Sequence, residues 1–88
     1  MKRDISEFNM QELLERYKLQ SKIIELLKAA HQELKQENYP RSFIHLSSAR
    51  RYARKMLQAQ LFLPDEAHIP TLIQEQMQSL AEAKVLRN

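Results

Sequence analysis

The chain has 88 residues, with 14 Lys and Arg against 11 Asp and Glu, 43% hydrophobic residues, no Cys and no Gly. This composition predicts one globular domain, residues 1–88, and excludes disulfides, thiolate metal sites and a glycine-rich phosphate-binding loop. Abundant strong helix formers predict an all-α fold. No apolar run suits a signal peptide or a membrane span, which predicts a cytoplasmic protein.

The first half of the chain carries apolar residues at helical spacing. This pattern predicts either one helix over about residues 7–37 or two helices that divide near residues 19–21, with Ser21 as the N-cap of the second. Because no Pro or Gly lies there, periodicity favours the continuous helix. The predicted core stripe steps by three or four and consists of Met10, Leu13, Tyr17, Gln20, Ile24, Leu27, His31 and Leu34, and it is widened by Leu14, Ile23 and Ala30.

A second helix is predicted over residues 40–60. Asn38 suits a left-handed cap at the end of the preceding helix, and Pro40 suits the first turn of the new one, where its missing N–H costs nothing. Helical spacing predicts a core face made of either Phe43 or Ile44 together with Leu46, Ala49, Tyr52, Ala53, Met56 and Leu57.

The last third of the chain contains a connector and one more helix. Residues 61–63, Leu-Phe-Leu, form a short apolar connector, and residues 64–68 are predicted to form a single helical turn. The main helix is predicted to begin at about Ile69, because a proline at position 70 is tolerated only near a helix start. Its predicted stripe is Ile69, Leu72, Ile73, Met77 and Leu80, with Ala83 or Lys84.

Short connections favour antiparallel neighbours. The sequence therefore predicts a compact antiparallel bundle of four helices, or of three if residues 7–37 form one continuous helix.

The positive charge is concentrated in residues 39–64, which contain five Lys and Arg and no Asp or Glu. If this segment is helical, like charges lie four residues apart, and each such pair costs a few tenths of a kcal/mol. Something acidic, within the protein or outside it, is therefore expected to face them. The candidate partner-binding residues are Arg50, Arg51, Arg54 and Lys55, with Lys84 and Arg87 near the C-terminus.

The sequence offers no pattern typical of catalysis. The histidines His31, His45 and His68 fall on three separate segments without metal-ligand spacing, and no serine has the Gly-flanked setting of a hydrolase nucleophile. His31 is predicted to be a hydrogen-bonded residue of the core or its boundary. We therefore expect a protein that is not an enzyme and that uses no cofactor, metal or small-molecule substrate.

Several roles remain open for the basic segment. Glutamates of the first half could neutralise it within the bundle, or it could dock on an acidic protein surface or on an anionic membrane leaflet. A small nucleic-acid-binding regulator is a further alternative, disfavoured by the 11 acidic residues and by the lack of a helix–turn–helix pattern. A helical partner-binding subunit or chaperone is another, with an exposed 61–63 segment as its contact patch.

A family resemblance spans about residues 22–82. A helix that ends in the charged run Leu-Lys-Gln-Glu-Asn-Tyr, residues 34–39, leads into the basic 40–60 helix. An apolar and then acidic connector, Leu-Phe-Leu-Pro-Asp-Glu at residues 61–66, precedes a last helix at 69–84. This order of segments resembles the immunity proteins that protect producers of pediocin-like bacteriocins, of the enterocin A immunity type.

The resemblance implies an antiparallel four-helix bundle in the cytoplasm, with peripheral contact to the inner membrane face as an option. It implies stoichiometric binding to the membrane receptor that the bacteriocin engages, the mannose phosphotransferase permease. The expected partners are therefore this receptor complex and the anionic inner leaflet, and the expected state of the protein is a monomer.

Overall fold

The fold consists of helices connected by short turns. The computed structural model describes residues 4–87, with side chains over residues 4–83. No strand occurs in this part of the chain, which confirms the all-α prediction. Three α-helices, α1 (Met10–Lys35), α2 (Tyr39–Gln58) and α3 (Ile69–Arg87), are accompanied by single 3-10 turns at Ile5–Glu7 and Pro64–Glu66.

Helix α1 is continuous over 26 residues, so the described chain forms three α-helices rather than four. Its first turn is closed by a capping box, in which the Glu12 N–H donates to Asn9 Oδ1 (2.8 Å) and the Asn9 N–H donates to Glu12 Oε1 (3.1 Å). Ser21 lies in the helix interior and is not an N-cap. The absence of a breaker between residues 10 and 35 outweighed this weak start signal.

The turn between α1 and α2 uses a left-handed residue, but not the predicted one. Glu37 has φ 59°, whereas Asn38 has φ −90°. The Asn38 N–H donates to the Glu33 carbonyl (2.9 Å) and the Glu37 N–H to the Leu34 carbonyl (3.0 Å), which is a Schellman motif. Asn38 already serves as the N-cap of α2, where its carbonyl accepts from the Ser42 N–H.

The end of α2 repeats this geometry. Gln60 has φ 56°, and the Leu61 N–H donates to the Met56 carbonyl at 2.8 Å. Glu37 and Gln60 thus occupy the left-handed positions at the two helix ends, where glycine is the residue most often found. The second of these turns directs Leu61 and Phe62 into the core, where they are 2% and 8% exposed.

Helix α2 lies in the centre of the fold, antiparallel to both of its neighbours. At one end the Ser42 hydroxyl donates to the Ala30 carbonyl (2.8 Å), and at the other Arg16 Nη1 donates to the Leu61 carbonyl (2.9 Å). Arg50 of α2 bonds Gln74 of α3. Helices α1 and α3 run in the same direction and hardly contact each other.

Small residues at the centre of α2 allow both neighbouring helices to approach it. Ala49 and Ala53 are completely buried, as is Met56. Side chains from the three α-helices and from the segments next to the 3-10 turns fill the space around them. These are Phe8, Leu19, Ile23, Ala30, Leu46, Leu61, Phe62, Ile73, Met77 and Leu80.

The predicted core face of α2 is confirmed at four positions, Leu46, Ala49, Ala53 and Met56, and wrong at its two ends. Neither Phe43 nor Ile44 is buried, and Leu57 is 48% exposed. Ser42 takes the inward position at the start of the helix because its hydroxyl finds the Ala30 carbonyl as a partner.

The partner-binding or chaperone alternative required residues 61–63 to be an exposed patch, whereas Leu61 and Phe62 are buried and Leu63 is half-buried. The start of the last helix at Ile69 and the single turn before it are confirmed. Of the predicted α3 stripe, Ile73, Met77 and Leu80 are buried, whereas Leu72 is 48% exposed.

Candidate binding surfaces

Three cations on α2 form an outward-facing strip that we call the basic edge, defined by Arg51, Arg54 and Lys55. All three are exposed, and the Lys55 ammonium lies 5.4 Å from the centre of the Tyr52 ring. This separation allows a cation–π contact, which orients Lys55 without removing it from solvent. The buried face of α2, which contains Ala49 and Ala53, lies on the opposite side of the helix.

Arg50, another of the predicted contact residues, is not counted in this edge because its side chain has a partner on α3. Its guanidinium donates to Gln74 Oε1 and therefore connects α2 with α3. The residue is half-buried. The hydrogen bond lies at the surface, where α3 packs along this side of α2.

The basic edge has no acidic counterpart in the described part of the chain. No ion pair with a described carboxylate involves Arg51, Arg54 or Lys55, and the one described ion pair joins Arg16 to Glu66. Glutamates of the first half therefore do not neutralise the edge by direct pairing. The like charges remain exposed to a partner or to solvent.

Two of the predicted contact residues, Lys84 and Arg87, lie near the end of α3. The backbone there is helical. Their side chains lie outside the described residues.

An apolar groove runs between α1 and α3, with α2 as its floor. Its volume is 770 Å³, and it exists because α1 and α3 each pack on α2 but hardly on each other. Ser42, Leu46 and Met56 form the floor. The walls are built mainly from Ile23, Ile24, Leu27 and Leu34 on α1 and from Ile69, Leu72, Ile73, Leu80 and Ala83 on α3.

The groove explains why the predicted core stripe of α1 is largely solvent-accessible. Residues 20, 24, 27, 31 and 34 of that stripe line the groove, and Ile24 and Leu34 are 48% and 39% exposed. The buried residues of α1 are Arg16 and Leu19, which the predicted stripe did not include, and Ile23 and Ala30, which were predicted to widen it. Periodicity identified an apolar face correctly, but the fold leaves most of it without a covering helix.

His31 lies on a wall of this groove and is exposed. His31 was predicted to be a hydrogen-bonded residue of the core or its boundary, and the predicted burial is wrong. His45 is half-buried on α2, and His68 is exposed before α3. Among residues 4–83 no group of three or more His, Cys, Asp or Glu side chains could hold a metal ion.

A partly buried ion pair, absent from the sequence-based predictions, connects α1 to the 3-10 turn at Pro64–Glu66. Arg16 Nη1 and Nη2 donate to the two carboxylate oxygens of Glu66, at 2.6 and 2.8 Å. Nη1 also donates to the Leu61 carbonyl. Glu66 accepts further hydrogen bonds from the Leu63 N–H (2.8 Å) and from Gln20 Nε2 (3.3 Å), so both charges are well satisfied.

The pair shifts the pKa values of both partners. The hydrogen bonds from Arg16 lower the pKa of Glu66 below its ordinary value of 4.5, more than burial raises it, and the Leu63 N–H lowers it further. The bond to Glu66 raises the pKa of Arg16. No sequence pattern marked the pair because its members are 50 residues apart.

This pKa shift predicts acid sensitivity. Because the folded-state pKa of Glu66 is lowered, its contribution to stability is present above the unfolded-state pKa of about 4.5 and is lost as the pH falls through the folded-state value. Urea unfolding of the wild type and of Glu66→Gln between about pH 7 and pH 3 measures it. The difference in stability between them should shrink at the acid end, and a pH-independent difference would contradict the assignment.

No described helix has the length and apolarity needed to cross a membrane. No protein-family model, no curated protein and no solved structure matches the chain. The two surfaces, the basic edge and the apolar groove, are therefore the features from which a function must be argued.

Proposed function

We propose that the chain is a bacteriocin immunity protein of the pediocin-type class, a non-catalytic cytoplasmic protein that acts by stoichiometric binding at the inner face of the membrane. The observation that carries the proposal is the basic edge, whose three cations face outward without a described carboxylate partner. The resemblance of residues 22–82 to such proteins supplies the biological setting. The helix boundaries at Tyr39 and Ile69 agree with that pattern.

The charge of the edge suits such a role. Each Lys or Arg near an anionic leaflet contributes about 1 kcal/mol, so the three cations would contribute about 3 kcal/mol. This weak attraction concentrates the protein at the membrane. Specific contact with the receptor complex, the mannose phosphotransferase permease, would supply the remaining affinity.

The proposal also accommodates a departure from the expected fold. The resemblance implies a four-helix bundle, whereas the described chain has three α-helices. The groove between α1 and α3 lies where a fourth helix would complete a bundle on the α2 floor. An immunity protein with an open position of this kind would carry a second contact surface besides the basic edge.

Survival of a bacteriocin-sensitive strain that expresses the protein tests the proposal. Exposed to a panel of pediocin-like peptides, the strain should survive at least one of them. The double variant Arg51→Glu/Arg54→Glu should lose this protection while its unfolding free energy stays within about 0.5 kcal/mol per substitution, because both residues are exposed.

The matched control is Lys18→Glu/Lys22→Glu, which makes the same charge change on exposed residues of α1 away from the basic edge. It should protect as well as the wild type. Absence of protection against the entire panel would overturn the proposed function. Equal loss of protection in both double variants would show that net charge, and not the edge, matters.

A further inference from the structure

The groove is accompanied by exposed apolar side chains that a monomer does not cover. Ile24 and Leu72, on opposite walls, are each 48% exposed, and Leu34 is 39% exposed. Ile24 and Leu34 are about three turns apart on α1, and Leu72 lies on the roughly parallel helix α3. Such a continuous apolar face marks an interaction site more often than a free surface. The charged residues along the two edges of the groove, its rims, indicate what kind of molecule would cover it.

The α1 rim of the groove is positive. Lys28 is exposed and shares a shallow depression with Ile24 and Leu27, which also line the groove. Lys35, also exposed, lies four residues after the groove-lining His31. Since residues three or four apart are neighbours on a helix surface, both lysines flank the apolar stripe of α1.

The α3 rim is negative. Glu75 lies three residues after Leu72 and four before Ser79, and Glu82 lies three residues after Ser79. Both glutamates are exposed, and Leu72 and Ser79 both line the groove. They are seven residues apart, as are the two lysines of α1. Each rim therefore presents two like charges about two helical turns apart, along nearly parallel helices.

This arrangement is self-complementary under one symmetry only. If two copies meet groove to groove about a two-fold axis parallel to the helices, α1 of each copy lies beside α3 of the other, and lysines meet glutamates. If the axis is perpendicular to the helices, α1 faces α1 and like charges meet. The opposite charges therefore select the first arrangement, which is an isologous interface.

We propose that the protein forms a homodimer through the groove, in which α1 of each copy packs against α3 of the other and Lys28 and Lys35 face Glu75 and Glu82 of the second copy. The four helices of the interface bury the apolar stripe of α1 and the exposed side of Leu72. This inference rests on the groove alone and is independent of the basic edge. The proposed dimer differs from the monomer that we expected from the sequence.

Sedimentation equilibrium of the full chain over a wide concentration range tests for the dimer. Leu72→Glu, inside the groove, should give a monomer at concentrations where the wild type is dimeric. Leu57→Glu is the matched control, because Leu57 has the same 48% exposure but does not line the groove. It should leave the dimer intact. A wild type that stays monomeric throughout would overturn the proposal and leave the groove to a helix of another protein.

Charge exchange tests the orientation. Lys28→Glu alone and Glu75→Lys alone should each weaken self-association about tenfold or more, because each creates two symmetric like-charge contacts. An equimolar mixture of these two variants should restore association as a heterodimer, since each like-charge pair becomes an opposite pair. Lys18→Glu, at an exposed residue of α1 away from the rims, should leave self-association unchanged. A mixture that stays monomeric would overturn this arrangement of the helices.

Discussion

Replacing Phe62 by alanine is expected to lower the free energy of unfolding by about 3 kcal/mol or more, the loss typical of a buried phenylalanine. Phe62 is 8% exposed, belongs to the core and lines the inner end of the groove between α1 and α3. Truncation would leave a cavity at the point where the connector joins the three helices. Urea denaturation followed by circular dichroism measures the loss.

Phe43→Ala is the matched control for this experiment. It removes the same atoms from a side chain that is 38% exposed near the start of α2. Its expected cost is smaller, about 1 to 2 kcal/mol, because more than a third of the residue is already in contact with water and truncation at the surface leaves no enclosed cavity. Equal losses in the two variants would show that the connector is not part of the core.

Replacing Arg16 by methionine is expected to cost about 3 kcal/mol, for an electrostatic reason. The substitution keeps an unbranched side chain but leaves the Glu66 carboxylate, with 19% of its side-chain surface exposed, without its bidentate partner. The Leu61 carbonyl loses a hydrogen bond as well. Chemical denaturation near neutral pH measures the loss.

Arg51→Met provides the control, since Arg51 is exposed and has no described ion pair, and its cost should stay within about 0.5 kcal/mol. The double variant Arg16→Met/Glu66→Gln should cost less than the sum of its single substitutions, because removing both charges leaves neither of them buried alone. Strict additivity would contradict a direct energetic coupling between the two residues.

The Phe62 and Arg16 variants test the two interactions that hold residues 61–66 against the helices. Phe62 contributes apolar burial, and Glu66 brings the 3-10 turn at Pro64–Glu66 against α1 through Arg16. Because α1 and α3 hardly touch, this connection does much to fix where α3 begins relative to α1. Phe62 also lines the groove. Weakening the connector is therefore expected to affect the binding face as well as stability.

Local signals in the sequence were sufficient for most of the helix boundaries. Pro40 placed the start of α2, and Pro70 together with the acidic turn before it placed the start of α3, because proline is tolerated only in a first turn. The lack of Pro and Gly between residues 10 and 35 favoured one long helix. These effects depend on a few neighbouring residues, so they can be recognised without knowledge of tertiary packing.

The candidate surface residues were predicted less completely. The concentration of cations on α2 was visible as composition, and Arg51, Arg54 and Lys55 are indeed exposed. Arg50 donates a hydrogen bond to Gln74, 24 positions away, and Arg16 pairs with Glu66, 50 positions away. Such partners have no sequence signature, since the long-range contact exists only once α3 and the connector are in place.

By itself, the sequence determined that the chain is helical, where its second and third helices begin, and which faces are apolar or basic. Tertiary structure alone decided which apolar faces are covered. Ala49 and Ala53, on one face of α2, allow α1 and α3 to pack side by side on that helix, and this leaves the α1 stripe from Gln20 to Leu34 facing an open groove. Periodicity shows that a face is apolar, but only the positions of the other helices show what covers it.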